Sequence, residues 1–394
     1  MSNIYLIDGV RTAIGSYLGQ FKKTEAINLG KDCVTEIIKR NSKIQINDIE
    51  GLILGQVLTS GLGMNTARQV ALSSGMSQAS FAYTVNQVCG SGMRAVIDSA
   101  LKIATAECDL IIAGGQESMS RARHAYLSRT AEVKLGNEVL IDTLVNDGLT
   151  DAFSQEHMGI TAENVAQDYD ISRASMDEFA AESQARATAA QSAGYFKDQI
   201  VPLTLKKGRK DFKFDNDEFI RGETTVESLA NLRPAFAKDG LVTAGNSSGI
   251  NDGTASIVLA DSDSITKHNA VPLARIVSYG YGGVPSRIMG MGPVPASKMA
   301  LERAGLTTDD LAVVESNEAF AAQACAVSNQ LGLDPSIVNP NGGAIALGHP
   351  VGATGAIIMT KLVHELRRRS ERYGMATMCI GGGQGISVII DAQI

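Results

Sequence analysis

The sequence predicts an α/β fold made of two duplicated halves, and three observations carry that reading. Apolar runs of strand length alternate with helical patterns, which favours sheets covered by helices on right-handed crossovers. One order of elements, a glycine-flanked helix start followed by a buried strand that ends in glycines, occurs twice. The closing strands also agree, since Ala255-Ser256-Ile257-Val258-Leu259-Ala260-Asp261 resembles Gly385-Ile386-Ser387-Val388-Ile389-Ile390-Asp391.

The chain opens on the strand-like Ile4 to Asp8. Cys89-Gly90-Ser91-Gly92 starts a helical pattern through Ile103, and Asp109 to Gly115 reads as a buried strand with a glycine ending. From about Ser120 to Ile250 runs an insertion richer in charge and turns, which predicts a third, loop-rich domain. In the second half Gly352-Ala353-Thr354-Gly355 opens a helix through Leu366, and Met375 to Ile380 leads into Gly381-Gly382-Gly383. The expected domains are 1–119 with 251–272, the inserted 120–250, and 273–394. Packed together, the two halves make a layered sandwich with largely parallel central strands. The helices that start at Gly90 and Gly352 form its buried middle, and their N-termini converge on one site.

Composition narrows the function classes. The 394 residues are 44% hydrophobic and 20% charged, enough apolar material for more than one domain without disulfide staples. A net charge of -7 argues against nucleic acid as the main partner, because phosphate binding needs a concentrated positive field. No window approaches the ~18 to 20 apolar residues of a membrane span. The start at Met1-Ser2-Asn3 carries no signal or transit pattern, and Asp391-Ala392-Gln393-Ile394 is no peroxisomal address. Five scattered cysteines do not make a disulfide framework. Together these features predict a cytoplasmic protein.

The chemistry concentrates in Val88-Cys89-Gly90-Ser91-Gly92, in Gly348-His349-Pro350, and in Met378-Cys379-Ile380-Gly381-Gly382-Gly383. Glycines beside a reactive side chain let the backbone turn sharply and present free N–H groups. A cysteine at a helix start gains thiolate character from the helix dipole, and an imidazole can take its proton. Cys89 suits the nucleophile, His349 its partner, and Cys379 an acid/base that exchanges a proton with a substrate carbon. Two thiols that reach one carbon also predict sensitivity to mild oxidation. Cys33, Cys108 and Cys325 keep the ordinary reading of packed cysteines. His124, His268 and His364 receive surface or capping roles. The basic run Lys206-Lys207-Gly208-Arg209-Lys210 reads as a solvated hairpin rim, or as a steering patch for phosphates. Metal-ligand spacings are lacking, and no Gly-x-Gly-x-x-Gly fingerprint implies a nicotinamide or flavin cofactor.

Four blocks in order, Val88 to Gly92, Asn317-Glu318-Ala319-Phe320, Gly348 to Gly352, and Cys379 to Gly383, resemble the signature blocks of the thiolases. Val10 to Gly15, His157-Met158-Gly159 and Thr243 to Gly249 match as well, so the resemblance covers nearly the whole chain. It is strongest to the short-chain biosynthetic branch. The resemblance implies a thiolase-like duplicated αβαβα sandwich and reversible Claisen condensation of two acetyl-CoA to acetoacetyl-CoA and CoA through acetyl-Cys89. It implies coenzyme A thioesters as substrates, no separate cofactor, no metal, and a homotetramer whose arm spans about Ser128 to Leu140. In that scheme His349 and a water on Asn317 serve the enolate, while the N–H groups of Cys89 and Gly381 serve the acyl-enzyme oxygen.

For substrate binding the resemblance places His157 and Met158 at the pantetheine and acyl end, Arg221 and Ser228 near the nucleotide, and Leu232, Phe236 and Ala244 along an apolar wall. Ser248 meets the pantetheine, and Met289, Ala319 and Phe320 close the acyl pocket. Ile250 stands where the family often has Leu, a volume-conserving exchange. Three other readings stay open: a ketoacyl synthase, disfavoured by Asn317 where those enzymes use a second His; a non-catalytic acyl-CoA or lipid binder, disfavoured by the two thiols; and a degradative thiolase of broader chain length.

Overall fold

In the computed structural model, which describes residues 3–126 and 139–394, strands of the two halves join in one hydrogen-bonded ladder. The first half contributes β1 (Tyr5–Thr12), β2 (Gly51–Gly55), β3 (Phe81–Val85), β4 (Leu110–Ser118) and β5 (Asn251–Ala260). The second contributes β6 (Ala274–Gly283), β7 (Val313–Ser316), β8 (Tyr373–Ile380) and β9 (Gln384–Asp391). Their spatial order is β7-β8-β9-β6-β1-β5-β4-β2-β3, and the halves meet where Tyr5 and Leu6 pair with Arg275 and Ala274.

The duplication holds strand by strand. The pairs β1/β5 and β6/β9 are antiparallel, as are β5/β4 and β9/β8, whereas β4/β2 and β8/β7 are parallel. Even a register shift recurs, between Leu6 and Asp8 in β1 and between Ile276 and Ser278 in β6. The expectation of largely parallel central strands is therefore corrected: the ladder is mixed, and β5 and β9 run against both neighbours. In the second half the tight Gly381 to Gly383 connection can only return the chain antiparallel. In the first half the insertion sits at the tip of the same hairpin, where Ser118 pairs with Asp252.

Helices α1 (Ala26–Arg40) and α2 (Thr66–Ser73) cover the first half, and α3 (Ser91–Ala104) follows Cys89. The insertion carries α4 (Met158–Asp168) and α5 (Arg173–Ala193); α6 (Pro293–Ala304) and α7 (Ala321–Leu331) belong to the second half, with α8 (Thr354–Arg369) between the halves. From Thr354 to Leu366, α8 is buried except at a partly exposed His364, and its buried charges are paired, Lys361 with Glu315 at 2.6 Å and Glu365 with Arg368 at 2.7 Å. It packs on β7 and β8 and also on β1, β4 and β5. Where α3 and α8 cross, a β-carbon on Gly355 would overlap the backbone of Met93, so glycine sets their approach.

The insertion holds more helix than its charge suggests. Helix α5 buries Met176, Ala180, Ala187 and Ala190 at helical spacing, is capped by the Ser172 side chain, and stops at left-handed Gly194. The basic run forms the turn of a hairpin between Leu203–Lys207 and Lys210–Phe214. Buried Arg11 binds Asp217 through two bonds of 2.7 and 2.9 Å and so ties β1 to the insertion. Removing either partner would leave an uncompensated buried charge, a cost of about 3–5 kcal/mol. His268 is the buried C-cap of the helix Ser262–Lys267, in keeping with the capping role, and the partly exposed His364 bonds Gly9 O at 2.8 Å. The expected oligomer arm lies, up to residue 138, outside the described residues. No helix among those described is long and apolar enough to cross a membrane.

Candidate active site

The chain leaves β3 and reaches Cys89 through a hydrogen-bonded turn. The Gly90 N–H donates to Gln87 O (3.0 Å) and the Ser91 N–H to Val88 O (3.1 Å). Ser91 Oγ accepts from the Gln87 N–H (2.8 Å) and donates to Val88 O (2.6 Å). Inside this turn Val88 has φ +47°, left-handed backbone that a β-branched residue adopts at a cost of about 1–3 kcal/mol. The Ser91 bonds hold that strain, and the half-buried Cys89 is presented at its end.

Two backbone N–H groups, those of Gly381 and of Cys89 itself, face the Cys89 sulfur and favour its ionised form. Cys379, the penultimate residue of β8, lies close enough that a Cys89 thiolate would raise its own ionisation further. Here the structure corrects the expected low-pKa nucleophile. Burial pushes the Cys89 thiol up to about 11, the two N–H groups oppose the rise, and the Glu117 carboxylate adds to it. Desolvation of a thiolate outweighs the dipole of one helix start. Fully buried Cys379 is raised further still, by burial first and Cys89 second.

His349 lies between the short helical turn Ala344–Leu347 and α8. Its N–H donates to Asn251 Oδ1 (2.9 Å), and Nδ1 is 2.7 Å from Thr354 Oγ1, whose own hydroxyl donates to Pro350 O (2.9 Å). That network assigns the ring proton to Nδ1 and leaves Nε2 with a free lone pair. Burial holds the imidazole down at about 4, so it is neutral at pH 7. Val351, two residues on, belongs to the apolar cluster of Val57, Leu58, Met119 and Leu144 against which Cys89 packs. A carbon-13 titration of the histidine rings, with His349 assigned by a His349→Asn variant, is expected to show no protonation of His349 between pH 8 and about 5. An ordinary step near 6.5 would contradict the buried, neutral base.

Asn317 follows β7, with its backbone N–H bonded to Thr377 O at 3.0 Å. Its side chain is buried, yet neither end of the amide has a hydrogen-bond partner among the described residues. Such a group is expensive unless its partner arrives with water or substrate. The adjoining Glu318 does the opposite: it accepts from Ser183, Asn339 and the Ile345 N–H at 2.7–3.1 Å and locks the loop in place.

Met158, Met289, Ala319, Phe320 and Cys379 form one buried cluster, with Phe236 packed on it. His157 stacks on Phe236 at 4.9 Å, and Phe236 meets Phe320 edge-on at 5.9 Å. The Ser248 N–H donates to Ala319 O at 3.0 Å, which brings this loop alongside. Ile250 instead joins the cluster around Val351 and Cys89. Arg221 and Ala244 are exposed, and Leu232 is 40% exposed. The Arg221 guanidinium lies over Phe219 at 5.1 Å, and the Ser228 hydroxyl is committed to its own helix cap, donating to Thr225 O at 2.7 Å.

Sequence reasoning missed Glu117, Asn251, Thr354 and Ser91. The signal available was a carboxylate at the end of the apolar run Leu110-Ile111-Ile112-Ala113-Gly114-Gly115, a place that rarely tolerates a charge. Asn251 also bonds Gly15 O at 3.1 Å, so the Val10 to Gly15 block supports the histidine from behind.

Comparison with known proteins bears on this geometry. The family model described as Thiolase, N-terminal domain matches residues 4–263, and Thiolase, C-terminal domain matches residues 270–392. An acetyl-CoA acetyltransferase of Rhizobium meliloti (strain 1021) is 50% identical over 393 residues, covering 99% of this chain and 100% of its own. The beta-ketothiolase BktB of Cupriavidus necator is 48% identical over 390 residues, covering 98% of each chain. Among solved structures, the Bacillus anthracis acetyl-CoA acetyltransferase superposes with a TM-score of 0.96 at 40% identity, covering 100% of this chain and 99% of its own. The human mitochondrial 3-ketoacyl-CoA thiolase gives a TM-score of 0.96 at 42% identity with the same coverage.

Proposed function

The chain belongs to the thiolase family, and from that premise we propose that it is an acetyl-CoA C-acetyltransferase. It joins two acetyl-CoA to acetoacetyl-CoA and free CoA, and it runs the reverse thiolysis with the same groups. The observation that carries this reading is the convergence of two thiols from different halves, Cys89 and Cys379, with the N–H of Gly381 on the Cys89 side.

In the first half-reaction the Cys89 sulfur attacks the thioester carbonyl of acetyl-CoA while its proton passes to His349 Nε2. Because the resting pair is a thiol beside a neutral imidazole, proton transfer accompanies the attack rather than preceding it. The N–H groups of Cys89 and Gly381 support the oxygen of the tetrahedral intermediate. The carbon–sulfur bond to CoA then breaks, and the departing thiolate takes the proton of Cys379. In the second half the Cys379 thiolate removes a proton from the methyl group of the next acetyl-CoA. His349 and a water on Asn317 meet the enolate oxygen. The carbon attacks the acetyl group, the Cys89 thiolate leaves, and it recovers its proton from His349. Atoms and protons balance.

His157, Met158, Phe236, Ser248, Met289, Ala319 and Phe320 hold the acyl and pantetheine end in this reading, with Ile250 beside Cys89. Leu232 and Ala244 line the way out to Arg221 and Ser228 near the nucleotide. The thioesters are substrates, and no separate cofactor enters. A homotetramer is the assembly carried over from the family resemblance.

A second reading, degradation of longer 3-ketoacyl chains, is favoured by the likeness to the 3-ketoacyl-CoA thiolase. Against it stands the buried apolar cluster that Met158, Met289 and Phe320 share with Cys379. Thiolysis of 3-ketoacyl-CoA thioesters from four carbons upward separates the two. We expect kcat/KM to be greatest at four carbons and to fall about tenfold or more for each of the next extensions that no longer fit. A flat or rising series would favour the degradative reading.

A further inference from the structure

Glu117 has no part in the chemistry above, yet it lies at the seam between the nucleophile and the histidine. It is fully buried near the end of β4. Its Oε2 accepts from the N–H groups of Val57 (2.9 Å) and Gly352 (3.0 Å), and its Oε1 accepts from the Leu58 N–H (3.2 Å). Val57 and Leu58 follow β2, whereas Gly352 lies between His349 and α8.

Close backbone contacts show what these bonds join. A β-carbon on Gly55 would overlap Ser91 and Gly92 in the first turn of α3 and crowd Gly352 O. A β-carbon on Gly352 would meet the Glu117 carboxylate and the backbone of Gln56 and Val57. The exit of β2 thus touches both the helix start behind Cys89 and the segment that carries His349. Desolvation pushes this buried carboxyl up to about 7, and the three N–H groups oppose that rise, so it is fully ionised only at alkaline pH. Glutamine could not replace it in kind, because its amide nitrogen would face a donor.

We propose that Glu117 is a positioning residue that clamps the His349 segment and the Cys89 helix start into one register for acyl transfer. This rests on the acetyltransferase reading for its rate, but not for its geometry. Among the described residues, the titratable groups facing the carboxylate are Asp252, whose Oδ2 is buried there without a partner, and Cys89, with Cys379 beside it. The charge of Glu117 raises the Cys89 thiol.

The clamp and the charge predict opposite effects in Glu117→Gln. Single-turnover acetylation is expected to fall about ten- to a hundredfold, with KM for acetyl-CoA within about threefold of wild type, as misplaced reacting groups would produce. Alkylation of Cys89 by iodoacetamide, followed on its peptide by mass spectrometry, should shift its pH midpoint downward because a neighbouring negative charge is gone. The thiol becomes easier to ionise while the enzyme becomes slower. Glu117→Asp, which keeps the charge but withdraws it, should lose rate without the downward midpoint. Native acetylation in Glu117→Gln overturns the proposal, and so does a slower variant whose midpoint is unmoved. If neither variant folds, hydrogen exchange in the wild-type chain decides: the Val57, Leu58 and Gly352 amides should exchange as slowly as those of β4, and fast exchange removes the clamp. Alkylation needs no acyl transfer, so a wild-type protein that never acetylates would fail the acetyltransferase reading without touching this one.

Discussion

Cys89→Ser is expected to lose on the order of a thousandfold or more of its turnover in both directions while still binding acyl-CoA, because the nucleophile of a covalent cycle has no substitute. A serine hydroxyl has nearly the size of the thiol and would keep the Val88 turn, so the loss should be chemical rather than structural. The turn itself explains why. Its bonds run through Gln87, Val88, Gly90 and Ser91 and do not use the sulfur. A hydroxyl beside an imidazole held at about 4 would have to be deprotonated against a far larger gap than a thiol at about 11. Thermal unfolding within a few degrees of wild type, with KM for acetyl-CoA replaced by a comparable Kd, would complete the expected result. A serine variant with even a tenth of native turnover would remove Cys89 from the mechanism.

Cys379→Ala should separate the two half-reactions. Acetylation of Cys89 survives, because a CoA thiolate can leave without an acid. Condensation and thiolysis fall about a hundred- to ten-thousandfold, the usual worth of a positioned acid/base. Exchange of solvent deuterium into the acetyl methyl group is the direct readout of the lost base. Exchange at the wild-type rate would show that another group removes the proton. The buried setting of Cys379 predicts a further signature. Burial holds it protonated at rest, so its thiolate should form only after CoA has departed. Exchange in wild type should therefore require prior acetylation of Cys89.

Much of the fold and of the reactive centre is legible in the amino-acid sequence. The repeated order of helix, buried strand and glycines is a true duplication, down to matching register shifts in β1 and β6. The strand directions are less so. Hydrophobic runs report burial but not polarity, and only the short Gly381 to Gly383 connection hints that β9 returns antiparallel. Helix α5 is hidden because its buried face sets alanines and the polar Asp177, Ser183 and Gln184 around a single methionine, which carries little apolar contrast against its charged neighbours. The reactive groups stand out as glycine-flanked blocks, whereas their supports do not. Asn251, Thr354 and Glu117 act through backbone or ring contacts that reach residues 98, 5 and 235 positions away. Sequence spacing carries no trace of the long-range partners. The thiol ionisation escapes the sequence for a related reason: a helix start is visible there, but the depth of its burial is not.

The most direct test is to mix the wild-type protein with acetyl-CoA labelled in the acetyl group, quench before condensation, and map the label by peptide mass spectrometry. The mechanism predicts one acetyl group per chain, on Cys89, discharged by free CoA to regenerate acetyl-CoA and by a second acetyl-CoA to give acetoacetyl-CoA. Label on Cys379, or a protein that turns over without any acetylated cysteine, would contradict it.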